Sequence, residues 1–263
     1  MKSLLDNISI VLVGIRTPAN IGATARCMMN MGLSRLVLVN PLKGRNEEAY
    51  KLAAGADRII TGAAVVETLG QAVAGHNLVV GTSRHQGRLR KNIRTPREAA
   101  EQIVPLLARN KVAVVFGNEV NGLDNRDLAL CPEIIAIPSS EAFPSLNLSH
   151  AVMIVAYELH LAAGAGVVRR FDSPLARSNE LENFFAHLQE TLQATGFLDR
   201  EHPERMMSSL RQIFGRAQLT GRDISILRGI LTAVNKAASR GPAPDKEGRT
   251  VGKARPGNNN DSA

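Results

Sequence analysis

Three short groups of residues carry the side chains best suited to chemistry. Asn20–Arg26 reads NIGATAR, Val115–Leu123 reads VFGNEVNGL, and Ser145–Ser149 reads SLNLS. The first supplies a carboxamide, Asn20, expected as a helix N-cap, and a cation, Arg26, further along the same helix. The second places a carboxylate, Glu119, just past an apolar run. Its neighbours Gly117, Asn118 and Gly122 let backbone groups approach a ligand closely. The third enters a long apolar helix, with Ser145 expected as its cap. Each group also has a plain structural use: a solvated charge, a carboxylate satisfying loop amides, a helix start. Other chemistries lack their signatures. GIRTPANIG stands where a dinucleotide fingerprint would open the first βα turn, and there is no Walker motif, H-E-x-x-H or nucleophile elbow.

These groups must be positioned by the elements around them. Short apolar runs, most of them rich in Val and Ile, occupy Ile8–Val13, Leu36–Val39, Leu78–Val80, Val112–Phe116 and Ile134–Ile137. Continuous runs of this kind suit strands buried on both faces of a parallel sheet. Amphipathic segments lie between them. One runs from about Asn20 to Gly32 and another ends near Gly75. A third opens at Thr95-Pro96, with Glu98 at capping-box spacing. The alternation predicts an α/β domain with an open parallel sheet. Ligands of such sheets sit beyond the carboxyl ends of the strands. There the sequence reads GTSR, GNEVNGL and PSSEAFPSLNLS. A long apolar helix follows over about Leu146–Ala163, whose repeating apolar face serves core or dimer contact. Beyond it, GAGVVRRFDSPLARSN reads as a linker. Helical patterns then cover about Glu180–Thr195, Pro203–Ala217 and Asp223–Ser239. The expected layout is a catalytic unit over residues 1–165, a linker at 166–179, a helical accessory unit at 180–240 and a disordered tail at 241–263.

The formal net charge of +8 and pI near 10.0 favour a polyanionic partner. Aromatics are only 3%, with no Trp, so stacking platforms of the RRM or OB kind are not expected. RNA, if bound, is held mainly by charge and shape. Arg84, Arg88, Arg90, Lys91, Arg94 and Arg97 form a basic run, read equally as a solvated surface or a phosphate track. Arg205, Arg211, Arg216, Arg222, Arg228 and Lys236 give the accessory helices a basic face. Cys27 and Cys131 are far apart and read as free thiols. No His/Cys cluster has metal-ligand spacing, so no metal is expected. No apolar stretch reaches bilayer length and no signal peptide is read, which leaves a cytoplasmic protein as the expectation.

The order N-x-G-x-x-x-R, F-G-x-E-x-x-G-L, S-L-N resembles the SPOUT methyltransferases, and within them the TrmH-type RNA 2′-O-methyltransferases. The likeness runs over roughly residues 6–163. The stretch TLQATGFLDREHPERMMSSLRQIFGRAQLTGRDISILRGIL is similar to the C-terminal extension of the TrmJ subfamily, tRNA (cytidine/uridine-2′-O)-methyltransferases. The resemblance implies an open parallel sheet with a deep C-terminal trefoil knot, a feature rare among proteins. It also implies S-adenosylmethionine as cofactor, held by Thr82, Ser83, Arg84, Gly117, Asn118, Glu119, Ile137, Pro144, Ser145, Leu146 and Asn147. A homodimer through the knot would bring Arg26 of one copy to the cofactor of the other. The catalytic set carried across is Arg26, Asn20, Ser145, Asn147 and Glu119. The RNA-binding set is Arg84, Arg88, Arg90, Lys91, Arg205 and Arg211. The substrate expected is the ribose of C or U at nucleotide thirty-two of a tRNA anticodon loop. The alternatives are rRNA as substrate, or a non-catalytic RNA-binding protein that retains the scaffold. Arg84 and Pro144 depart from the small residues common at those positions.

Overall fold

The apolar runs become strands because each is covered on both faces. In the computed structural model, which describes residues 3–83, 93–164, 173–199 and 202–239, the chain runs β1 (Ile8–Val13), α1 (Pro18–Asn30), β2 (Arg35–Val39), α2 (Glu47–Ala53), α3 (Asp57–Thr61), β3 (Ala64–Val66), α4 (Leu69–Val73), β4 (Leu78–Thr82), β5 (Ile93–Arg94), α5 (Pro96–Leu106), β6 (Val112–Phe116), α6 (Asn125–Ala129), β7 (Glu133–Ile135) and α7 (Leu148–Gly164). Then come α8 (Ser178–Ala194), α9 (Glu204–Arg216) and α10 (Gly221–Ser239). The seven strands lie in the order β3-β2-β1-β6-β4-β7-β5, and the pairings are parallel throughout. One face carries α1, α2, α3, α5 and α7, with Ile10, Leu12, Met28, Ile103, Val114 and Val155 in a common core. The other is covered by α4 and by the segment from Leu123 to Cys131, against Val11, Val79 and Val115. Every residue of β6 is buried, as its continuous apolar run requires. The open parallel sheet read from the sequence is the observed architecture.

Register places the functional loops. Leu12 pairs with Phe116, Gly81 with Val115 and Thr82 with Ile135. Thus β1, β4, β6 and β7 all end along one edge, and the loops after them emerge side by side.

Several boundaries differ from the sequence reading. Strands β3 and β5 went unread, being three and two residues long, too short for a periodic signal. The run Ile134–Ile137 is strand only as Glu133–Ile135, so Ile137 lies in the following loop. The helix expected to be capped by Asn20 begins earlier. Thr17 is its N-cap and Pro18 its first residue, where the fixed φ of proline suits the first turn. Asn20 then sits inside that turn with its amide free for other work. Ser145 does not cap α7 either. Asn147, immediately before Leu148, accepts the Ser149 N–H at 2.9 Å, the bonding pattern of an N-cap. Helix α5 forms as read, with Thr95 and Glu98 closing a capping box behind Pro96.

Helices α8–α10 enclose a core of their own. Phe184, Phe185, Leu188, Met207, Ile224 and Leu231 are buried there, and Phe184 meets Phe214 edge-on at 5.0 Å. The end of the segment read as a linker is fixed to the sheet unit. Leu175 is buried in the main core, its carbonyl accepts Asn77 Nδ2 at 2.6 Å, and its N–H donates to Asn110 Oδ1 at 2.7 Å. The Ser178 N–H donates to the His76 carbonyl at 2.7 Å. Residues 241–263, read as a tail, lie outside the described residues. No helix among the described residues is long and apolar enough to cross a membrane.

Candidate active site

Gly117 is buried because the loop after β6 folds back upon it. A Cβ there would stand 2.0 Å from the Gly122 carbonyl carbon and 2.2 Å from the Leu123 nitrogen. Its own loop therefore requires a glycine here. Asn118 closes the turn: its Oδ1 accepts the N–H groups of Val120 and Asn121 at 3.0 and 2.9 Å. Its backbone carbonyl accepts the N–H of Gly122 at 3.0 Å, and Gly122 takes φ +70°.

This turn aims Glu119 at the loop between β1 and α1. The carboxylate accepts the Arg16 N–H at 3.2 Å, the Thr17 N–H at 3.1 Å and Asn20 Nδ2 at 2.9 Å. Partial burial pushes the Glu119 carboxyl up, but the donors from Asn20, its own backbone, Arg16 and Thr17 outweigh this and hold it below the ordinary carboxylate value. The chain of bonds continues with one polarity. Asn147 Nδ2 donates to Asn20 Oδ1 at 3.2 Å, and Asn147 Oδ1 accepts both the N–H and the hydroxyl of Ser149, at 2.9 and 2.7 Å. Cys27 Sγ donates to the Ser149 carbonyl at 3.5 Å. Three loops distant in sequence are thereby tied at Glu119, Asn20 and Asn147. The sequence singled out all three residues but not Ser149, whose plain hydroxyl carried no signal.

Beside this network runs a cleft of about 920 Å³. Thr82, Ser83, Gly117, Asn118, Glu119, Ile137, Pro144, Ser145 and Leu146 line it. Every residue of the expected cofactor set that falls within the described residues shares this one cleft, Asn147 excepted. Arg84 lies outside the described residues, as do Arg88, Arg90 and Lys91 of the expected RNA-binding set. Thr82 is fixed by donating its hydroxyl to the Val115 carbonyl at 3.0 Å, and the Ser83 N–H donates to the Ile135 carbonyl at 3.0 Å. The far wall was not anticipated. It comes from α8 and α9, including Phe185, Met207 and Phe214. Gly215 permits the approach, since a Cβ there would lie 2.9 Å from Pro132 Cβ.

Arg26 stands on the exposed face of α1 and is not in the wall of this cleft. Arg205 is exposed in the first turn of α9. Arg211, of the expected RNA-binding set, lines the cleft from α9. It forms a two-point ion pair with Glu182 at 2.6 and 2.8 Å, and its guanidinium lies 4.4 Å from the Phe185 ring centre. The pair is partly exposed at the edge of the accessory unit, and its two-point geometry is of the stronger kind. Arg94 and Arg97, read in the basic run, are likewise paired, with Glu133 at 3.2 Å and Glu158 at 3.4 Å. Neither cysteine is in a disulfide; Cys131 is buried and Cys27 half-buried.

Comparison with known proteins now decides the family. Residues 7–157 match the SpoU rRNA Methylase family, and residues 179–243 match the tRNA methyltransferase TrmJ, C-terminal domain. The chain belongs to the SpoU methylase family. It is 41% identical over 239 residues to the tRNA (cytidine/uridine-2′-O-)-methyltransferase TrmJ of Yersinia enterocolitica, covering 89% of this chain and 93% of that protein. It is 42% identical over 247 residues to the tRNA (cytidine/uridine/adenosine-2′-O-)-methyltransferase TrmJ of Pseudomonas aeruginosa, covering 89% of this chain and 96% of that one. The crystal structure of TrmJ from Z. mobilis ZM4 superposes with a TM-score of 0.75 at 34% identity, covering 86% of this chain and 98% of its own. Both the SPOUT resemblance and the subfamily likeness of the accessory helices are borne out, and with them the reading of the chain as an enzyme of this methyltransferase family.

Proposed function

We propose that this SpoU methylase transfers a methyl group from S-adenosylmethionine to the 2′-hydroxyl of a C or U ribose, at nucleotide thirty-two in the anticodon loop of tRNA. The observation that carries the reading is the convergence of the loops after β4, β6 and β7 on one cleft beside the Glu119–Asn20–Asn147 network. The cleft fits the cofactor: apolar Leu128, Leu130 and Ile137 and polar Ser83, Asn118 and Glu119 line a space ample for a nucleoside bearing an amino-acid arm. When bound, the cofactor supplies a sulfonium-activated methyl carbon. The chain's own residues supply alignment, which contributes several kcal/mol or more. The names of the relatives support tRNA and a tolerant choice of base.

A homodimer completes the proposed site. Tyr157 and Leu161 of α7 are 48% and 45% exposed and lie one helical turn apart, with Ile154 on the same stripe. A second copy covering this face would also bring its exposed Arg26 to the cleft. Arg26 then orients the ribose and stabilises charge developing on its oxygen. A guanidinium carries donors and no acceptor, which argues against Arg26 as the proton acceptor. The layout proposed is a catalytic unit to residue 165 with residues 180–240 gripping the tRNA. The insertion of β7 between β4 and β5 is the strand order a knotted chain would show. The setting is the cytoplasm.

The test uses purified protein, labelled cofactor and separate tRNA and rRNA, followed by nucleoside analysis. Methyl on tRNA pyrimidine riboses is expected, and methyl on rRNA alone would overturn the substrate. Arg26→Ala should leave cofactor binding by calorimetry unchanged while transfer falls at least about tenfold, or about 1.4 kcal/mol. Unchanged turnover removes Arg26 from the mechanism.

A further inference from the structure

The loop between β7 and α7 does two jobs at once. Pro144, Ser145 and Leu146 turn into the cleft. Phe143, the residue before them, turns out of it and is 77% exposed, the highest value among the large apolar side chains described. In a chain with seven Phe, two Tyr and no Trp, an aromatic ring left in water at the rim of the ligand cleft is unusual. The other exposed rings among the described residues, Phe197 at 62% in the turn after α8, Tyr157 at 48% and Tyr50 at 36%, line no part of the cleft.

The ring is presented by a built turn. The Phe143 N–H donates to the Ser140 carbonyl at 3.1 Å. The Ser139 hydroxyl donates across the turn to the Pro144 carbonyl at 3.1 Å. Pro144 itself restricts Phe143 to extended backbone. These contacts hold the backbone that carries the ring, which lowers the ordering left to binding. On the loop after β6, Val120 is 59% exposed and lines the same cleft. Between Pro138 and Asn147 the only charged residue is Glu141, which repels phosphate. The feature suits a flat, uncharged, apolar face.

We infer that Phe143 stacks on a nucleobase of the RNA whose ribose enters the cleft. The inference rests on the RNA-modifying reading above. It adds to that reading a single aromatic contact where composition excluded a stacking platform. Stacking on one ring tolerates different bases, because each has a π-face.

The experiment measures equilibrium binding of fluorescein-labelled tRNA by anisotropy, at saturating S-adenosylmethionine. Phe143→Ala should weaken binding about tenfold, Phe143→Tyr should stay within about twofold of the parent, and Phe143→Leu should keep most of the loss. The slope of log affinity against log salt should be the same for all, since no phosphate contact changes. Cofactor affinity by calorimetry and mass by sedimentation should not move. Parent-like binding by Phe143→Leu overturns the inference. So does a loss in Phe143→Ala accompanied by altered cofactor affinity or oligomeric mass, which would assign the ring to the cofactor or to a second copy. Phe143-dependent tRNA binding without methyl transfer by the parent protein would overturn the proposed reaction and leave this contact standing.

Discussion

Replacing Glu119 by glutamine tests whether the polar network, rather than mere proximity, holds the site together. The carboxylate accepts three donors, at 2.9, 3.1 and 3.2 Å. Bonds to a charged acceptor contribute about 1.5–3 kcal/mol each in favourable settings. The two backbone contacts are long and the side chain is only partly buried, so the lower end applies after solvent screening. Glutamine can keep an oxygen toward Thr17 and Asn20, but its NH2 then faces the Arg16 N–H, donor against donor. The expected net cost is about 1–2 kcal/mol. For a chain of this size that lowers the thermal midpoint by roughly 2–8 °C. Hydrogen exchange localises the effect: the Arg16 and Thr17 amides should exchange about tenfold faster, the equivalent of about 1.4 kcal/mol, while β6 is unaffected. The pH dependence has a definite sign. A carboxyl held below its unfolded value stabilises the fold above that value, about 4.3, and loses the contribution as pH falls through the lower folded pKa. Parent and variant should thus converge in stability in strong acid. Equal exchange at Arg16 and Thr17, with a midpoint difference that does not vary with pH, would refute the network as the organising element.

Other outcomes follow from single contacts. Gly117→Ala should cost about 3 kcal/mol or more by overpacking against the Gly122–Leu123 backbone; calorimetry should find cofactor binding lost together with a lowered melting point. Burial pushes the Glu133 carboxyl up more than Arg94 pulls it down. Its favourable contribution is therefore present in acid and is lost as pH rises through the raised pKa. The melting point of Glu133→Gln relative to the parent should accordingly increase from pH 4.5 to pH 7.5, and a flat or falling difference would contradict the assignment.

Much of the frame was legible because burial writes itself into composition. β1 and β6 are covered on both faces and read as apolar runs, broken in β1 only by Ser9. Helix α5 announced itself through Thr95, Pro96 and Glu98. Strand β5, two residues long, has no periodicity to detect. The helix caps were misassigned for a physical reason. Asn20 and Ser145 have good capping chemistry, but Asn20 is engaged by Glu119 across 99 positions in sequence, and Asn147 makes the capping bond at α7 in place of Ser145. Such long-range partners leave no local trace. The same holds for Arg211, a surface cation by composition whose partner, Glu182, is visible only once α8 and α9 pack together.

The polarity of the Asn20–Asn147 pair decides what remains for a guest molecule. Asn147 Oδ1 is saturated by Ser149, and Asn20 Oδ1 already receives one amide hydrogen. Each NH2 uses one hydrogen within the protein and retains another. Toward the ribose and phosphate proposed above, the pair would therefore offer hydrogens and almost no lone pairs. In the proposed reaction such a pair would favour an oxygen that has lost its proton without removing that proton, leaving deprotonation of the hydroxyl to a group outside it.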